Sequence, residues 1–488
     1  MHTIVIFGAS GDLTGRKLIP ALYNLFLKKR LPLPLNIVGF ARTAMESGAW
    51  RDKLRESAGK FASGVFTEEN WKAFAPMIHY HSGDINDAGS FKALGQNLDR
   101  LEAAGSEGKS AGESHRLYYL ATAPEFYAKA AAQLGAAGLA EEQADRTRRI
   151  VIEKPFGRDS DSAAALNDAI HSVFNESQMY RIDHYLGKET VNNILVLRFA
   201  NAIFEPVWNR NYIDGIQITA NEDILVGRRA PYYENAGVLR DMFQNHLLQI
   251  LTFVAMEPPA RFRAKEIRDE KVKILQSIRA MPSEEAAVNS VRGQYRSYRD
   301  EEGAAKDSQT ATYGAVRLFI DNWRWKDVPV YLRSGKGMSC RTTQIVINFR
   351  QPPHSMFGGS AGGAVNRLLL QLQPAEGIQL HFMTKIPDSD MMLRMSELNF
   401  NFKNSFRGEM PDSYERLLLD ALNGDASLFA RNDEVEAAWR IIDPIQKAWD
   451  SGNVQPVEFY ETGSTGPAQA ARWIESFGQS WFDLCPSV

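Results

Sequence analysis

Residues 181–189, with the sequence RIDHYLGKE, place several chemically active side chains within one or two turns of chain. They include the carboxylate of Asp183, the imidazole of His184, the phenol of Tyr185 and the ammonium of Lys188. The last three can donate hydrogen bonds to phosphate oxygens, and two of them can carry positive charge. The run therefore suits a phosphorylated ligand, although in isolation a helix-capping carboxylate followed by a surface lysine is the favoured interpretation.

A glycine-rich loop near the start of the chain, GASGDLTG at residues 8–15, is a second candidate site. It lies between an apolar run from Thr3 to Phe7 and a stretch with helical spacing from Leu18 to Lys29, which predicts strand, loop and helix. Such a loop brings backbone close to a pyrophosphate and presents amides of the helix N-terminus to it. Its spacing departs from the G-x-G-x-x-G pattern, and packing alone also produces such turns. The predicted cofactor contacts are Gly8, Ser10, Gly11, Asp12 and Leu13.

The kind of dinucleotide is predicted from the end of the second strand, Asn36 to Ala41. An NAD site would have an acidic residue here to bind the ribose 2′-hydroxyl, whereas Arg42 suits a 2′-phosphate. NADP is therefore the predicted cofactor, with NAD as a weaker alternative. Lys17 can add positive charge near the phosphates. A solvated surface position is the alternative interpretation for both basic residues.

Two domains are predicted from the elements that must position these residues. Strand and helix patterns alternate up to about residue 183, which favours a Rossmann-type, doubly wound parallel sheet over residues 1–183. Beyond it, alternating apolar runs separated by irregular pieces favour a large, mainly antiparallel sheet with helices over residues 184–488. The predicted class is thus α/β followed by α+β. A length of 488 residues agrees, because single cores rarely exceed about 300 residues.

The composition indicates which partners are excluded and in which cellular compartment the protein is expected. Hydrophobic residues make up 44% and charged residues 24% of the chain, and the formal net charge is only −3, so nucleic acid is an improbable partner. No apolar run reaches the roughly 18 residues of a membrane span, and no signal peptide is visible. Cys340 and Cys485 are far apart in sequence and outside any metal-ligand spacing, which suggests neither a disulfide framework nor a zinc site. We therefore expect a soluble protein of the reducing cytoplasm.

The run at 181–189 resembles, over its whole length, a signature of the glucose-6-phosphate dehydrogenase family. The same resemblance, in the family's order, extends to residues 8–17, 152–157, 240–249 and 332–336. It implies oxidation of glucose 6-phosphate at its C1 hydroxyl to the 1,5-lactone with NADP, the first step of the oxidative pentose phosphate pathway. It also implies catalysis without a metal and a homodimer or homotetramer.

The resemblance assigns residue roles. His246 matches the catalytic base, and an imidazole has an ordinary pKa near neutrality, which suits proton transfer. Asp183 would orient it, and Lys154, just after a predicted strand at 150–152, would bridge cofactor and substrate oxygens. From spacing alone, His246 is a histidine in a buried helix. Further substrate contacts are implied, with ordinary surface ion pairs as the alternative, for Glu222, Asp241, Lys336 and Arg341.

Two other functions compete with this one. A dehydrogenase of the glucose–fructose oxidoreductase type also carries a Glu-Lys-Pro segment like 153–155, but it does not need the phosphate anchors His184, Tyr185 and Lys188. A non-catalytic NADP-binding sensor would retain the nucleotide fold while losing the base. Since His246 is intact, the sensor hypothesis has little support.

Overall fold

The computed structural model of the chain describes residues 1–62, 64–105, 113–354, 356–357, 365–406, 410–452, 454–483 and 485. These residues form two compact units. Unit 1 contains Met1–Lys188, Ala260–Arg268 and Pro411–Glu436. Unit 2 contains Glu189–Pro259, Asp269–Met410 and Ala437–Val488, apart from the residues not described.

Unit 1 is built on a seven-stranded sheet in the order β15-β6-β5-β4-β1-β2-β3. All neighbours are parallel except the antiparallel pair β15 and β6. Consecutive buried residues in β1 show why the strand is continuously apolar: both faces of the sheet are covered. The predicted Rossmann-type sheet is confirmed. Its strands are β1 (His2–Phe7), β2 (Leu35–Ala41), β3 (Ile78–Ser82), β4 (His115–Leu120), β5 (Arg148–Ile152), β6 (Met179–Ile182) and β15 (Phe429–Ala430).

Unit 2 is built on a nine-stranded sheet in the order β14-β13-β12-β11-β7-β10-β9-β8-β16. Its strand pairs are antiparallel except β7 with β10 and β8 with β16. This confirms the predicted large, mainly antiparallel sheet. The strands are β7 (Ile213–Asn221), β8 (Ser290–Tyr295), β9 (Tyr313–Phe319), β10 (Pro329–Gly335), β11 (Thr342–Phe349), β12 (Arg367–Gln373), β13 (Gly377–Lys385), β14 (Leu393–Asn401) and β16 (Glu458–Tyr460).

Helices flank both sheets, and none of those in the described residues is long and apolar enough to cross a bilayer. Two π-helical segments lead directly into α-helices, Thr14–Leu18 into α1 and Leu239–Leu247 into α9. The α-helices are α1 (Ile19–Leu27), α2 (Ser47–Phe61), α3 (Glu68–Phe74), α4 (Ala88–Ala104), α5 (Tyr127–Ala136), α6 (Ser160–His171), α7 (Glu189–Phe199), α8 (Ala230–Val238), α9 (Leu248–Ala255), α10 (Ala264–Ser277), α11 (Ser283–Asn289), α12 (Phe402–Ser405), α13 (Ser413–Asn423), α14 (Asn432–Asp450) and α15 (Ala468–Glu475).

The two cysteines, Cys340 and Cys485, form a disulfide, which the sequence did not suggest. The segment after α15 runs over the sheet of unit 2, where the side-chain amide of Gln217 donates to the Ser480 carbonyl and that of Gln344 donates to the Phe482 carbonyl, both at 2.8 Å. This course brings Cys485 to within 5.8 Å, Cα to Cα, of Cys340 in the loop after β10. A sequence separation of 145 residues hides such a pair, because only the fold brings the cysteines together.

Candidate active site

The loop after β1 is shaped for a ligand that approaches the backbone closely. Gly8 has φ +81°, and a Cβ added there would lie 2.3 Å from the carbonyl oxygen of Ala121, so only glycine fits. The Gly8 and Gly11 amides are bonded within the domain, to the carbonyls of Phe40 and of Gly8. Ser10, Gly11 and Asp12 are exposed at the turn that opens the helix. The residues present therefore fit a pyrophosphate laid against this turn.

A cavity of about 200 Å³ lies beside this loop at the carboxyl ends of β1, β2 and β4. This is the point where the strand order reverses, the usual place for a ligand in a doubly wound sheet. Gly8 and Ser10 line one part of it, and Arg42 and Thr43 line another. Arg42 is exposed, so its guanidinium is accessible to a ligand entering the cavity.

Lys17 has a protein partner in the structure. Its ammonium lies 2.7 Å from the carboxylate of Asp412, within unit 1. Contact with a cofactor phosphate would require the lysine to exchange or share this partner. Its role near the phosphates stays a prediction.

The run after β6 brings its polar side chains into one cluster within unit 1. Asp183 is buried, and its carboxylate accepts the Tyr185 amide at 2.9 Å, which fixes the turn. The ring of His184 lies 4.9 Å from that of Tyr185, and the Lys188 ammonium lies 3.8 Å from the centre of the Tyr185 ring. The cluster therefore gathers the cationic and hydrogen-bonding groups that a phosphate needs.

Lys154 follows β5 and is directly preceded by Glu153, a partly buried residue to which the sequence analysis assigned no role. Glu153 accepts the Tyr119 hydroxyl at 2.5 Å and also a hydrogen bond from Tyr414. Burial raises the pKa of Glu153. The Lys154–Pro155 bond is cis. The backbone that carries Lys154 is thus anchored by a polar contact directly before it.

In unit 2, the parallel pairing of β7 and β10 brings together two residues that follow these strands. Asn221 pairs with Gly335, so Glu222 and Lys336 emerge at the same edge of the sheet. Lys336 is only 2% exposed. Its ammonium forms short ion pairs with the Glu222 carboxylate and, at 3.0 Å, with that of Asp241. We call Glu222, Asp241 and Lys336 the lysine–carboxylate cluster.

Asp241 and His246 lie in the π-helical segment Leu239–Leu247. π-helical segments are rare in proteins and are often found at functional sites. Both residues are buried, with His246 only 1% exposed, and the His246 amide donates to the Asn245 side chain at 2.6 Å. Spacing alone predicted a histidine in a buried helix, and the structure agrees with that environment.

Arg341 follows Lys336 in the segment between β10 and β11. It is exposed in the loop before β11, and its guanidinium donates to Gln373 at 3.4 Å. The role of Arg341 as a substrate contact is implied by the family resemblance and stays a prediction.

Together, the sheet order of unit 1, the glycine loop after β1 and the cavity at the strand-order reversal are typical of dehydrogenases that use a pyridine nucleotide. The family models agree. Residues 5–193 match the NAD binding domain of glucose-6-phosphate dehydrogenase, and residues 195–482 match its C-terminal domain. The chain belongs to the glucose-6-phosphate dehydrogenase family.

Individual relatives support the same assignment over nearly the whole chain. The glucose-6-phosphate 1-dehydrogenase of Aggregatibacter actinomycetemcomitans is 43% identical, covering 98% of this chain and 96% of the relative. That of Rhizobium meliloti is 42% identical, covering 98% and 97%. A solved glucose-6-phosphate dehydrogenase in complex with its substrate glucose-6-phosphate is 31% identical, with a TM-score of 0.91 and coverage of 99% and 98%. A structure from Mycobacterium avium gives 33% identity and a TM-score of 0.84, with coverage of 99% of both chains. These matches decide against the glucose–fructose oxidoreductase type.

Proposed function

We propose that the chain oxidises D-glucose 6-phosphate at C1 to 6-phosphoglucono-1,5-lactone, the first step of the oxidative pentose phosphate pathway, with NADP as hydride acceptor. One observation carries the proposal beyond family membership. The residues that the family resemblance assigns to the sugar, Glu222, Asp241 and Lys336, lie in one cluster around the buried Lys336 ammonium, although 114 residues separate the first from the last. Acceptor carboxylates held around a lysine suit the hydroxyl groups of a sugar.

The chemistry requires removal of the C1 hydroxyl proton as hydride leaves C1. The ring oxygen donates electron density to the developing carbonyl carbon, so the step needs a base and an aligned acceptor. We assign His246 as this base because it is the family's histidine and shares its π-helical segment with Asp241. The role of Asp183 as the carboxylate that orients the imidazole stays a prediction.

The proposed roles divide between the two parts of the chain. We assign cofactor binding to residues 1–183, with the loop at 8–13, Arg42 and Lys154 as the contacts. We assign sugar binding and proton removal to residues 184–488. We assign the phosphate of the sugar to His184, Tyr185 and Lys188, and the mutual contacts of their side chains support this assignment.

The phosphate anchor predicts a strict preference for the phosphorylated sugar. With NADP, purified protein should reduce the nicotinamide rapidly with glucose 6-phosphate and at least about 10³-fold less efficiently with glucose, since the charged contacts are lost. Absorbance of the reduced nicotinamide measures both rates, and equal use of both sugars would contradict the phosphate anchor.

Lys188→Ala should raise the KM for glucose 6-phosphate and leave the KM for NADP unchanged, because the lysine is assigned to the phosphate of the sugar. An effect of this variant on the KM for NADP alone would contradict that assignment.

We also propose that the chain forms a homodimer, or a tetramer built from it, through the β13–β14 hairpin. One face of the hairpin is apolar and partly exposed, because the cross-strand pairs Ile378 with Phe400 and Leu380 with Leu398 lie side by side. Leu398 is 61% exposed and β14 is the edge of the sheet. An apolar edge of this kind suits burial against a second copy through a twofold axis.

Leu398→Glu is expected to convert the assembly to monomers, because it would place two carboxylates in an apolar, twofold interface. Light scattering after size exclusion measures the mass. Val288→Glu, which changes an exposed apolar residue of α11 in the same way, should leave the mass unchanged. An unchanged mass for Leu398→Glu would remove the hairpin as the interface.

A further inference from the structure

Tyr460, at the end of β16, contacts the backbone of Lys336 although 124 residues separate them in sequence. Its hydroxyl donates a 2.7 Å hydrogen bond to the Lys336 carbonyl oxygen. Tyr460 is only 3% exposed. Burial raises the pKa of Tyr460, so the hydroxyl keeps its proton and acts as the donor.

A second residue orients this hydroxyl. The Thr312 side chain lies 3.0 Å from the Tyr460 hydroxyl and also accepts the Tyr295 amide at 3.0 Å. Because the Tyr460 hydroxyl donates its proton to the Lys336 carbonyl oxygen, it can only accept from Thr312, and the Thr312 hydroxyl is the donor. The backbone carbonyl of Thr312 in turn accepts the Lys336 amide at 3.0 Å. Both polar groups of the Lys336 backbone are therefore held by the Thr312–Tyr460 pair.

The neighbouring backbone is tied to the partner strand as well. The Glu222 amide donates to the Gly335 carbonyl and the Met338 amide donates to the Glu222 carbonyl, each at 2.9 Å. These bonds fix the chain before and after Lys336, and Tyr460 fixes the peptide of Lys336 itself. The position of the ammonium between Glu222 and Asp241 then follows from a backbone that cannot shift freely.

We propose that Tyr460 is a positioning residue for sugar-phosphate binding, acting through the Lys336 carbonyl to set the geometry of the lysine–carboxylate cluster. The inference rests on the proposed function, specifically on the assignment of Lys336 to the substrate. It gives the strand β16 a role in substrate affinity although Tyr460 itself belongs to the apolar core.

Tyr460→Phe deletes only the hydroxyl and keeps the ring packed against Tyr295 and Tyr313. We expect the KM for glucose 6-phosphate to rise about fivefold, the loss associated with one hydrogen bond, while kcat and the KM for NADP stay within twofold. Tyr298→Phe is the matched control. Its hydroxyl is in the same core and donates to Glu234 at 2.7 Å, so the same kind of bond is lost away from Lys336.

Thermal unfolding of both variants separates positioning from stability. Similar losses in Tm with a raised KM only for Tyr460→Phe support the proposal. An unchanged KM in Tyr460→Phe, or an equal rise in KM in Tyr298→Phe, overturns it, because a general loss of packing would then explain the data.

A double-mutant cycle that combines Tyr460→Phe with Lys336→Gln tests whether Tyr460 acts through Lys336. Lys336→Gln should raise the KM for glucose 6-phosphate at least about 30-fold, as expected for loss of a charged contact. Adding Tyr460→Phe to it should produce no further rise, whereas a full additional fivefold rise overturns action through Lys336. If Lys336→Gln itself leaves the KM unchanged, the assignment of Lys336 fails and the inference with it. An unchanged KM in Lys336→Gln shows that the assignment of Lys336 is wrong, whereas a further fivefold rise in the double variant shows that Tyr460 does not act through Lys336. The two failures are therefore distinguishable.

Discussion

Replacing His246 by asparagine is expected to lower kcat with glucose 6-phosphate about 10³-fold, the usual contribution of a positioned general base. Asparagine has a similar shape and can form hydrogen bonds, but it cannot accept the hydroxyl proton at neutral pH. Because asparagine is polar and smaller than histidine, it fits the buried site of His246 without overpacking, and the fold should stay intact. Steady-state rates measure kcat, and NADP titration should give a dissociation constant within twofold of the original.

The control for this variant is His381→Asn. His381 is a partly buried histidine of β13 whose ring packs on Phe482, and it has no proposed part in the reaction. Its replacement should change kcat less than threefold. If His246→Asn also retained kcat within threefold, His246 would not be the base, and the non-catalytic interpretation of its buried environment would stand.

Replacing Arg42 by alanine is expected to lower the preference for NADP over NAD, expressed as the ratio of kcat/KM values, by about 30-fold. Arg42 lines the 200 Å³ cavity beside the glycine loop and is exposed there, so its guanidinium can pair with a 2′-phosphate that NAD lacks. The kcat/KM for NADP should carry nearly all of the change. Initial rates with each dinucleotide at saturating glucose 6-phosphate measure the ratio.

Arg100→Ala provides the comparison for Arg42. Arg100 is an exposed arginine of α4 whose guanidinium donates to Asn97, away from the cavity. Its loss should leave the ratio unchanged. If Arg42→Ala left this ratio unchanged, other groups would bind the 2′-phosphate. If kcat/KM fell equally for NADP and NAD, Arg42 would contact a part of the cofactor that both dinucleotides share.

Local signals in the sequence were sufficient for the dinucleotide-binding half. The apolar run at β1, the glycine loop and the helical spacing behind it are consecutive in the chain, so their periodicity predicts strand, turn and helix directly. The run at 181–189 is equally local, and its polar side chains do gather in unit 1. The predicted helix at 18–29 corresponds to α1, Ile19–Leu27, and a π-helical segment that the sequence did not predict, Thr14–Leu18, leads into it.

Long-range contacts set the limit of the prediction. Cys340 and Cys485 come together because glutamine side chains of the sheet hold the C-terminal segment against it by hydrogen bonds. No local pattern in the sequence predicts the path of this segment. The carboxylate of Glu153 is held by phenols from β4 and α13, and Tyr460 reaches Lys336 from β16. No local pattern in the sequence predicts these contacts. Only the register of the sheets brings them to the residues that the motifs identify.

The measurement that tests the central claim most directly uses glucose 6-phosphate carrying deuterium at C1. Incubated with the purified protein and NADP, it should give reduced nicotinamide that contains the deuterium, detected by mass spectrometry, and a lower rate than the unlabelled sugar if hydride transfer limits turnover. Reduced nicotinamide without deuterium, or deuterium retained in the oxidised sugar, would contradict transfer of hydride from C1.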